Sequence, residues 1–323
     1  MEDLSIYQDI AQRTDGDIYI GVVGPVRTGK STFIKKFMDL LVIPNIENEF
    51  KKVRAKDELP QSAAGKTIMT TEPKFIPNEA VEITVGKNLK LKTRLVDCVG
   101  YLVKDAIGYL ENDVPRMVKT PWSVDEIPFE SAAEMGTKKV IQEHSTIGIL
   151  VTTDGSVTGI DRKGYIEAEE RVAKELKELN KPFVIVLNTD EPHSEQNKQL
   201  SKELEDKYQT AVIVADCANL MIEDINNILG KILYEFPIEQ ININFPKWVN
   251  GLGRDHWLKK ELFSSIKEGF KDVTLLKSVE RGIGNTGETE LIEKMVVDEI
   301  RLGTRSNKYF YYVKRNAVLQ SFN

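Results

Sequence analysis

The chain has 323 residues, of which 41% are hydrophobic and 29% charged, with 21 glycines and 12 prolines. This composition excludes collagen-like, coiled-coil and disordered chains. At about 100 to 200 residues per domain, the length predicts two domains or one large domain with an appendix. The formal net charge of -6 divides unevenly, because residues 1–240 hold 30 basic against 40 acidic side chains (-10) and residues 241–323 hold 14 against 10 (+4). The acidic first part argues against a nucleic-acid partner, which needs a basic surface.

The sequence also predicts the compartment. Cys98 and Cys217 lie inside apolar runs that are typical of buried strands, and two cysteines are too few for a disulfide framework. This favours a reducing, cytoplasmic compartment. The N-terminal residues are acidic and lack the apolar segment of a signal peptide, and no stretch approaches the roughly 20 apolar residues of a membrane span. We therefore expect neither a signal peptide nor a membrane-spanning helix.

Strands and helices alternate along the first 240 residues. The β-branched run 17–24 predicts a strand that leads into a glycine loop, and residues 31–42 have the apolar period of a helix. Residues 45–66 are polar without a clear period and predict an insertion, and the proline-containing segment 101–129 predicts a loop. Further strands are predicted at 72–78, 81–86, 91–100, 147–155, 182–188 and 211–217, and further helices at 130–142, 165–179, 194–208 and 221–236.

This alternation predicts an α/β fold with a mostly parallel sheet that is covered by helices on both faces. The prolines at 237 and 246 predict a boundary. We therefore expect one domain over residues 1–240 and the beginning of a second region, helical at first, over residues 241–323. The last 23 residues carry five basic side chains, no acidic one and the aromatic run 309–312.

One motif points directly to chemistry. Residues 24–31 read GPVRTGKS, which fits G-x-x-x-x-G-K-[ST] between a predicted strand and a predicted helix. In such a P-loop, glycines let backbone N–H groups turn toward phosphate oxygens, and the lysine neutralises the β- and γ-phosphates. The alternative, a chance glycine-rich turn, is disfavoured by the strand-loop-helix context. The predicted nucleotide-binding residues of this motif and the helix after it are Gly24, Arg27, Thr28, Gly29, Lys30, Ser31 and Thr32.

A carboxylate beside a metal ion is predicted at the end of a neighbouring strand. The run LVDCVG supplies Asp97, which forms D-x-x-G with Gly100, and in that motif the glycine amide contacts the γ-phosphate. Ser31 and Asp97 are therefore candidate Mg²⁺ ligands, while the alternative role of the aspartate is to cap a turn. The residue after D-x-x-G is often a glutamine that orients the attacking water, and Tyr101 cannot serve in that way.

Three threonines between the two motifs are candidates for positioning water and metal. In switch-type nucleotidases, a threonine from this region completes the Mg²⁺ shell when the γ-phosphate is present. Thr70 and Thr71 immediately precede a predicted strand, as such a residue should. We predict that both are catalytic and that Thr70 is also a metal ligand, whereas Thr67 is predicted to be structural.

The end of the predicted strand 182–188 bears on the choice of nucleotide. A guanine-specific enzyme carries N-K-x-D there, whereas this chain reads LNTDEP, in which the lysine is absent and the acidic group is read as displaced by one residue. Because recognition by buried hydrogen bonds tolerates little change, we predict ATP in preference to GTP. Asn188 is included among the predicted nucleotide-binding residues.

Other polar residues are predicted to have simpler roles. Asp154 and Gly155 follow a predicted strand, where a turn is favoured over contact with the nucleotide. Arg27 more often faces solvent than acts as an internal arginine finger. The histidines are too scattered for a zinc site: His144, His193 and His256.

Several segments together resemble a known family: GVVGPVRTGKSTFIKKFM, DELPQSAAGKTIMTTEPKF, RLVDCVGY, TKKVIQEHSTIGILVTTDG and YIEAEERV. Over about residues 5–273 the chain is similar to the stage IV sporulation protein A family of endospore-forming bacteria. The resemblance implies a P-loop NTPase domain that is GTPase-like (TRAFAC-type) in fold but uses ATP. It also implies that Lys30 is the P-loop lysine, Asp97 the Walker B-type aspartate, and Thr70 and Thr71 the paired sensor threonines.

The same resemblance implies a function. Members of the family hydrolyse ATP to drive self-assembly into a static layer on the forespore surface, in the mother-cell cytoplasm, on which the spore coat is built. The implied partners are further copies of the chain, other spore coat proteins and a small amphipathic peptide that marks the forespore membrane. Two alternatives remain open: a GTPase-type regulatory switch, and a nucleotide-binding scaffold without turnover.

The resemblance ends near the C-terminus of this chain. Family members are longer, and their C-terminal part is implicated in assembly and in peripheral association with the membrane. We find no family pattern in residues 302–323, so the anchoring part is expected to be missing or altered here. The alternative is that this basic, aromatic segment is a membrane-surface or peptide-docking element.

Overall fold

The computed structural model describes residues 2–60, 73–85, 89–103, 110–111, 114–120, 123, 125–238, 240–245, 247–286, 292–299 and 306–313. The chain forms two compact units, Met1–Ile232 and Leu233–Asn323, and each contains a sheet of its own. No helix within the described ranges is long and apolar enough to cross a membrane.

The first unit alternates strands with helices. Its strands are β1 (Asp17–Val23), β2 (Lys74–Val85), β3 (Leu89–Asp97), β4 (Leu110–Glu111), β5 (Val114–Pro115), β6 (Met117–Val118), β7 (Ile127–Pro128), β8 (Ile147–Thr153), β9 (Phe183–Asn188) and β10 (Val212–Ala215). Its α-helices are α1 (Glu2–Arg13), α2 (Lys30–Phe37), α3 (Glu49–Asp57), α4 (Phe129–Glu143), α5 (Arg162–Glu178), α6 (Glu195–Tyr208) and α7 (Ile222–Tyr234). The main sheet has the order β10-β9-β8-β1-β3-β2, and β2 is antiparallel to β3 whereas the other pairs are parallel. This confirms the predicted α/β fold.

The middle of this sheet is covered on both faces. Every residue of β8 and β9 is buried, as is expected where helices lie above and below a parallel sheet. Leu150 and Ile185 belong to one core cluster with Val172 and Leu176 of α5. Val184, whose side chain points to the opposite face of β9, is fully buried outside that cluster. The continuous apolar runs in the sequence therefore follow from burial on two sides.

The structure departs from the predicted elements at the edge of the sheet. The two strands predicted at 72–78 and 81–86 are one strand, β2, whose pairing with β3 is irregular between Ile76 and Val81. The insertion predicted at 45–66 contains α3, which begins after Asn48, whose side chain accepts a hydrogen bond from the N–H of Lys51. Because Ala55 is the buried residue of α3, this helix leaves no apolar period in the sequence.

The parallel register brings the predicted site residues to one edge of the sheet. Val22 of β1 lies beside Asp97 of β3 and Ile149 of β8, and Thr153 at the end of β8 lies beside Asn188. In open α/β sheets, ligands bind beyond the carboxyl ends of the strands. The loop that follows β1 therefore lies at the edge where such a ligand is expected.

The second unit is built on a smaller sheet. Its elements are β11 (Gln240–Asn244), α8 (Lys247–Gly251), α9 (Trp257–Gly269), α10 (Val279–Thr286), β12 (Ile292–Glu299) and β13 (Ser306–Val313). The strand order is β11-β13-β12, and β13 is parallel to β11 and antiparallel to β12. The aromatic run 309–312 therefore lies in the central strand of this sheet. Helices α8 and α9 supply a small apolar cluster: Val249, Leu258, Leu262 and Ile266.

Candidate nucleotide-binding site

The glycine loop after β1 is shaped by close approaches that leave no room for side chains. Gly24 has a φ of 140°, and a Cβ at this position would lie 2.2 Å from the carbonyl oxygen of Val151. Gly29 has a φ of 94°, and its Cβ would lie 2.3 Å from Asn188 Nδ2. Helix α2 then begins at Lys30. Both glycines of the motif are therefore required by the backbone conformation and by the neighbouring β8 and β9 segments.

The side chain of Lys30 is buried against the backbone of the loop. Its Nζ donates hydrogen bonds to the carbonyl oxygens of Pro25 (2.6 Å) and Gly24 (3.4 Å). Burial lowers the pKa of Lys30 to about 8, and the nearby Asp97 carboxylate opposes this shift. Because a buried ammonium group is stabilised by a nearby anion, this position suits a phosphate.

Ser31 and Asp97 meet beside Lys30. Ser31 Oγ donates a hydrogen bond to Asp97 Oδ2 at 2.6 Å. The other oxygen, Asp97 Oδ1, is buried and accepts no hydrogen bond from the part of the chain that the structure describes. Burial raises the pKa of Asp97, and the Ser31 hydrogen bond and the Lys30 charge oppose that shift. These hard oxygen donors, one of them available, fit Mg²⁺, which prefers such ligands.

The D-x-x-G segment runs directly beside the P-loop. The N–H of Tyr101 donates to the carbonyl oxygen of Gly24 at 3.3 Å, and the N–H of Val26 donates to the carbonyl oxygen of Tyr101 at 2.8 Å. Gly100 has a φ of 92°, and a Cβ there would lie 2.3 Å from Gly24 O and 2.6 Å from Lys30 Nζ. The two motifs that the sequence analysis identified separately are thus joined through their backbones.

Asn188, at the end of β9, stabilises the P-loop. Its Nδ2 donates to the carbonyl oxygen of Thr28 at 3.0 Å, and its Oδ1 accepts from the N–H of Cys217 at 3.0 Å. The side chain is buried, so both bonds are shielded from water. Asn188 therefore connects the P-loop to the segment after β10, and its predicted contact with the nucleotide stays a prediction.

Two family models match the chain in sequence. The model described as "Stage IV sporulation protein A, ATPase domain" matches residues 1–237. The chain belongs to the stage IV sporulation protein A family. The model described as "Stage IV sporulation protein A, middle domain" matches residues 238–319. All the site residues described above lie within the ATPase-domain match.

Curated members of the stage IV sporulation protein A family are similar to this chain over most of its length. The protein of that name from Clostridioides difficile (strain 630) is 55% identical over 299 residues, which are 93% of this chain and 61% of the relative. Those of Bacillus subtilis (strain 168) and Bacillus anthracis are each 52% identical over 303 residues, which are 94% of this chain and 62% of each relative. This chain therefore spans less than two thirds of the length of these relatives.

Among solved structures, the crystal structure of an SsGBP variant matches with a TM-score of 0.36 and 16% sequence identity, over 70% of this chain and 57% of that chain. Membership of the stage IV sporulation protein A family rests on the sequence comparisons.

The middle-domain match corrects the interpretation of residues 302–323. No family pattern was predicted there, whereas the match extends to residue 319 and β13 occupies Ser306–Val313. Four consecutive aromatic residues show neither a helical period nor the alternation of a half-buried strand, although aromatic side chains favour strands. The aromatic run is therefore part of the matched middle domain of the stage IV sporulation protein A family.

The segment after Asn188 departs from the guanine motif differently from the prediction. N-K-x-D places its aspartate three residues after the asparagine, and Glu191 stands at that position. The predicted displacement of the acidic group is therefore wrong, because the carboxylate is kept on a side chain one methylene longer. Thr189 takes the place of the lysine, and its Oγ1 donates to Asp154 Oδ2 at 2.6 Å. Asn197 Nδ2 donates to the same Thr189 Oγ1 at 2.9 Å.

Asp154 closes a turn after β8. Its Oδ1 accepts hydrogen bonds from Ser156 N (3.0 Å) and Ser156 Oγ (2.7 Å), and its Oδ2 accepts from Thr189. Burial alone would raise the pKa of Asp154, but the hydrogen bonds from Ser156 and Thr189 outweigh it and lower the pKa. These contacts agree with the predicted turn role.

The other predicted ligands differ in how far the structure describes them. Thr28 is buried and its Oγ1 donates to Pro25 O at 3.1 Å, so it stabilises the loop from within. Arg27 has a φ of 65° and is partly buried, which lowers its pKa. Thr32 lies in the first turn of α2 and is partly exposed. The switch threonines lie outside the described residues: Thr67, Thr70 and Thr71.

The partners of the Tyr101 side chain were not predictable from the sequence. Tyr101 Oη donates to Glu175 Oε2 at 2.6 Å, and the guanidinium carbon of Arg171 lies 4.9 Å from the centroid of its ring. Arg171 and Glu175 are four residues apart on α5 and so share one helix face. Nothing in the sequence pairs this helix face with Tyr101, which lies 74 positions before Glu175.

Two of the three histidines have structural contacts. His256 precedes α9, and its Nδ1 accepts a hydrogen bond from Leu258 N at 3.3 Å. The ring of His144 lies edge-on to Phe75, with 5.1 Å between centroids. In the described ranges no three His, Cys, Asp or Glu side chains form a group that could hold a metal ion, and the prediction of no zinc site stays a prediction.

Proposed function

We propose that the chain binds ATP with Mg²⁺ at the P-loop and hydrolyses it to ADP and phosphate. One observation carries the proposal: buried Lys30, the Ser31 hydroxyl and the Asp97 carboxylate converge where the glycine loop meets the D-x-x-G segment. This set supplies the positive charge, the metal ligands and the backbone amides that phosphoryl transfer needs. The match to a family model described as an ATPase domain supports the same chemistry.

Each residue of the proposed site has a physical task. The loop N–H groups and Lys30 Nζ would bind the β- and γ-phosphates and offset their negative charge. Ser31 and Asp97 would hold Mg²⁺, which when bound neutralises charge that develops on the phosphate oxygens. Water would attack the γ-phosphorus in line, so that a new P–O bond forms while the bond to the β,γ-bridging oxygen breaks. The Gly100 amide, beside Lys30 Nζ, would donate to the γ-phosphate.

We propose ATP rather than GTP as the substrate. The residue at the lysine position of the guanine motif is Thr189, and its hydroxyl is bound within the protein to Asp154. It therefore cannot replace the long, charged side chain of that motif. The carboxylate of Glu191 at the aspartate position favours the second candidate, a GTPase-type regulatory switch. A competition between ATP and GTP for the purified chain separates the two, and a strong preference for GTP would favour the switch.

Thr70 and Thr71 are proposed to position the attacking water or the metal. Replacing both by alanine should leave ATP affinity within about threefold and lower the rate of phosphate release by about 100-fold, as for other groups that act mainly in the transition state. Equilibrium binding and steady-state phosphate release measure the two effects. Thr67→Ala is the matched control and should keep both, while retained turnover in the double variant would overturn the assignment.

We further propose that hydrolysis drives self-assembly into the basement layer of the spore coat at the forespore surface, in the mother-cell cytoplasm. Membership of a sporulation family supports this proposal. Other spore coat proteins and a small amphipathic peptide at the forespore membrane are the proposed further partners. Sedimentation with and without ATP tests assembly, and pelleting that needs both ATP and Lys30 would support it. Nucleotide binding without phosphate release or pelleting would instead indicate a scaffold.

A further inference from the structure

The hydroxyl of Tyr101 is held within the helical layer of the first unit. Tyr101 is 2% exposed, and its Oη donates to Glu175 Oε2 at 2.6 Å. Burial raises the pKa of the Tyr101 phenol, and Glu175 raises it further, so the phenol stays protonated and able to donate. A hydrogen bond to an ionised acceptor is stronger than one between neutral groups. The far end of the side chain is therefore fixed to α5.

The ring of Tyr101 is held as well. The guanidinium carbon of Arg171 lies 4.9 Å from the ring centroid, a cation–π contact. The same guanidinium binds Glu134 of α4 through both terminal nitrogens, with Nη2 at 2.7 Å from Oε2. Two parallel hydrogen bonds fix the orientation of the guanidinium plane. The contacts of Tyr101 therefore extend through Arg171 to α4.

The backbone of the same residue is bonded to the P-loop. Its N–H donates to Gly24 O and its carbonyl oxygen accepts from Val26 N. The preceding residue, Gly100, packs so closely that a Cβ there would contact Gly24 O and Lys30 Nζ. Tyr101 thus connects α4 and α5 to the P-loop at the residue next to the amide that is proposed to bind the γ-phosphate.

We propose that Tyr101 is a positioning residue: by fixing the Gly100 amide against the P-loop, it sets the extra affinity that a γ-phosphate adds over ADP. The inference deepens the proposed ATP function and rests on it. In related nucleotidases a glutamine at this position orients the attacking water. Here the Tyr101 hydroxyl is instead bonded to Glu175 of α5. Tyr101 would therefore act indirectly, by holding the backbone of Gly100 in place.

The test uses two tyrosine variants of the full chain. Tyr101→Phe removes the hydroxyl and keeps the ring beside Arg171. Tyr208→Phe is the matched control, because Tyr208 is also buried and its Oη also donates to a glutamate of α5, Glu169 Oε1, at 2.8 Å. Glu169 binds Arg162 and Thr152, on a part of α5 that does not hold the D-x-x-G segment. Each variant loses one hydrogen bond from a buried tyrosine to a glutamate of α5, part-buried for Tyr101 and buried for Tyr208, so Tyr208→Phe should cost at least as much stability as Tyr101→Phe.

The measurement is the ratio of the dissociation constants of ADP and a non-hydrolysable ATP analogue, each with Mg²⁺. We expect Tyr101→Phe to lower this ratio about fivefold, because the variant binds the ATP analogue more weakly. A fivefold change corresponds to the contribution of about one hydrogen bond. Tyr208→Phe should leave the ratio unchanged. A merely structural role would lower thermal stability in both variants without changing the ratio.

The outcomes separate this inference from the proposed function. Equal ratios in the two variants would overturn the positioning role, even if the wild-type chain releases phosphate from ATP. A wild-type chain that binds both nucleotides and releases no phosphate would contradict hydrolysis, and the fivefold change in the ratio would still support Tyr101. A wild-type chain that binds neither nucleotide, or binds both equally, would overturn the inference.

Discussion

Replacing Lys30 by alanine should weaken ATP binding by about 100-fold, more than any other single substitution considered for this site. Lys30 is the buried cation of the P-loop, with its Nζ 2.6 Å from Pro25 O. Charge-assisted hydrogen bonds to a phosphate contribute about 1.5 to 3 kcal/mol each, and 3 kcal/mol corresponds to roughly 100-fold in affinity. Titration calorimetry with ATP and Mg²⁺ measures the loss.

The control for this change is a lysine of the same helix. Lys35 lies on α2 and is exposed, so Lys35→Ala changes the net charge equally without touching the loop. We expect it to bind ATP within about twofold of the wild type, because exposed charges contribute little. Two results would contradict binding at the P-loop: ATP affinity that survives Lys30→Ala, or a loss of affinity in Lys35→Ala as large as that in Lys30→Ala.

Replacing Asp97 by asparagine should separate binding from hydrolysis. The amide keeps the shape of the carboxylate and loses the charge that would hold Mg²⁺, so we expect phosphate release to fall by about 100-fold or more. ATP affinity should fall by less than about tenfold, because Lys30 and the loop amides remain. Phosphate release and ATP binding at saturating Mg²⁺ are the two measurements.

The stability of the Asp97→Asn chain gives a further test of the same site. Burial raises the pKa of Asp97, so the ionised form is less favourable in the folded than in the unfolded chain. The resulting cost to stability is absent below the unfolded pKa of Asp97. It develops as the pH rises through the folded pKa, and it is complete above that pKa. Without Mg²⁺ at neutral pH, the variant should therefore unfold at a temperature no lower than the wild type. Asp39→Asn, at an exposed residue, should change neither activity nor stability.

Loss of hydrolysis in Asp39→Asn as well, or a much lower unfolding temperature in Asp97→Asn, would contradict this description of the site. The first result would show a general effect of removing acidic charge. The second would show that the Ser31–Asp97 hydrogen bond and the attraction between Asp97 and Lys30 together stabilise the fold more than the buried charge costs.

Elements buried on two sides were predictable from the sequence, and so was the edge strand β10, whereas elements without a clear apolar period were not. The strands β8 and β9 are apolar throughout, and the P-loop follows β1 with a motif whose glycines are demanded by close approach to Val151 and Asn188. By contrast, α3 has one buried residue, Ala55, so its sequence shows no apolar period from which a helix could be predicted. In β13 the consecutive aromatic residues hide the period of two, and its partner strands were not recognisable as strands.

The candidate site was predictable only where its residues follow local motifs. Lys30, Ser31 and Asp97 were predicted because strand-loop-helix context and strand ends are readable along the chain, and the structure brings all three together. The anchoring of Tyr101 by Glu175 depends on which helix packs beside the D-x-x-G segment, and one sequence does not carry that information. The predicted displacement of the acidic group was wrong because Glu191 stands three residues after Asn188, where the guanine motif has its aspartate.

Phosphate release by the purified 323-residue chain, measured with ATP and with GTP in the presence of Mg²⁺, is the decisive test of the proposed ATPase activity. We predict sustained release from ATP, slower release from GTP at equal subsaturating concentrations, and loss of both signals in Lys30→Ala. No release from ATP above that of Lys30→Ala, or release from GTP that clearly exceeds release from ATP, would contradict the claim that this chain is an ATPase.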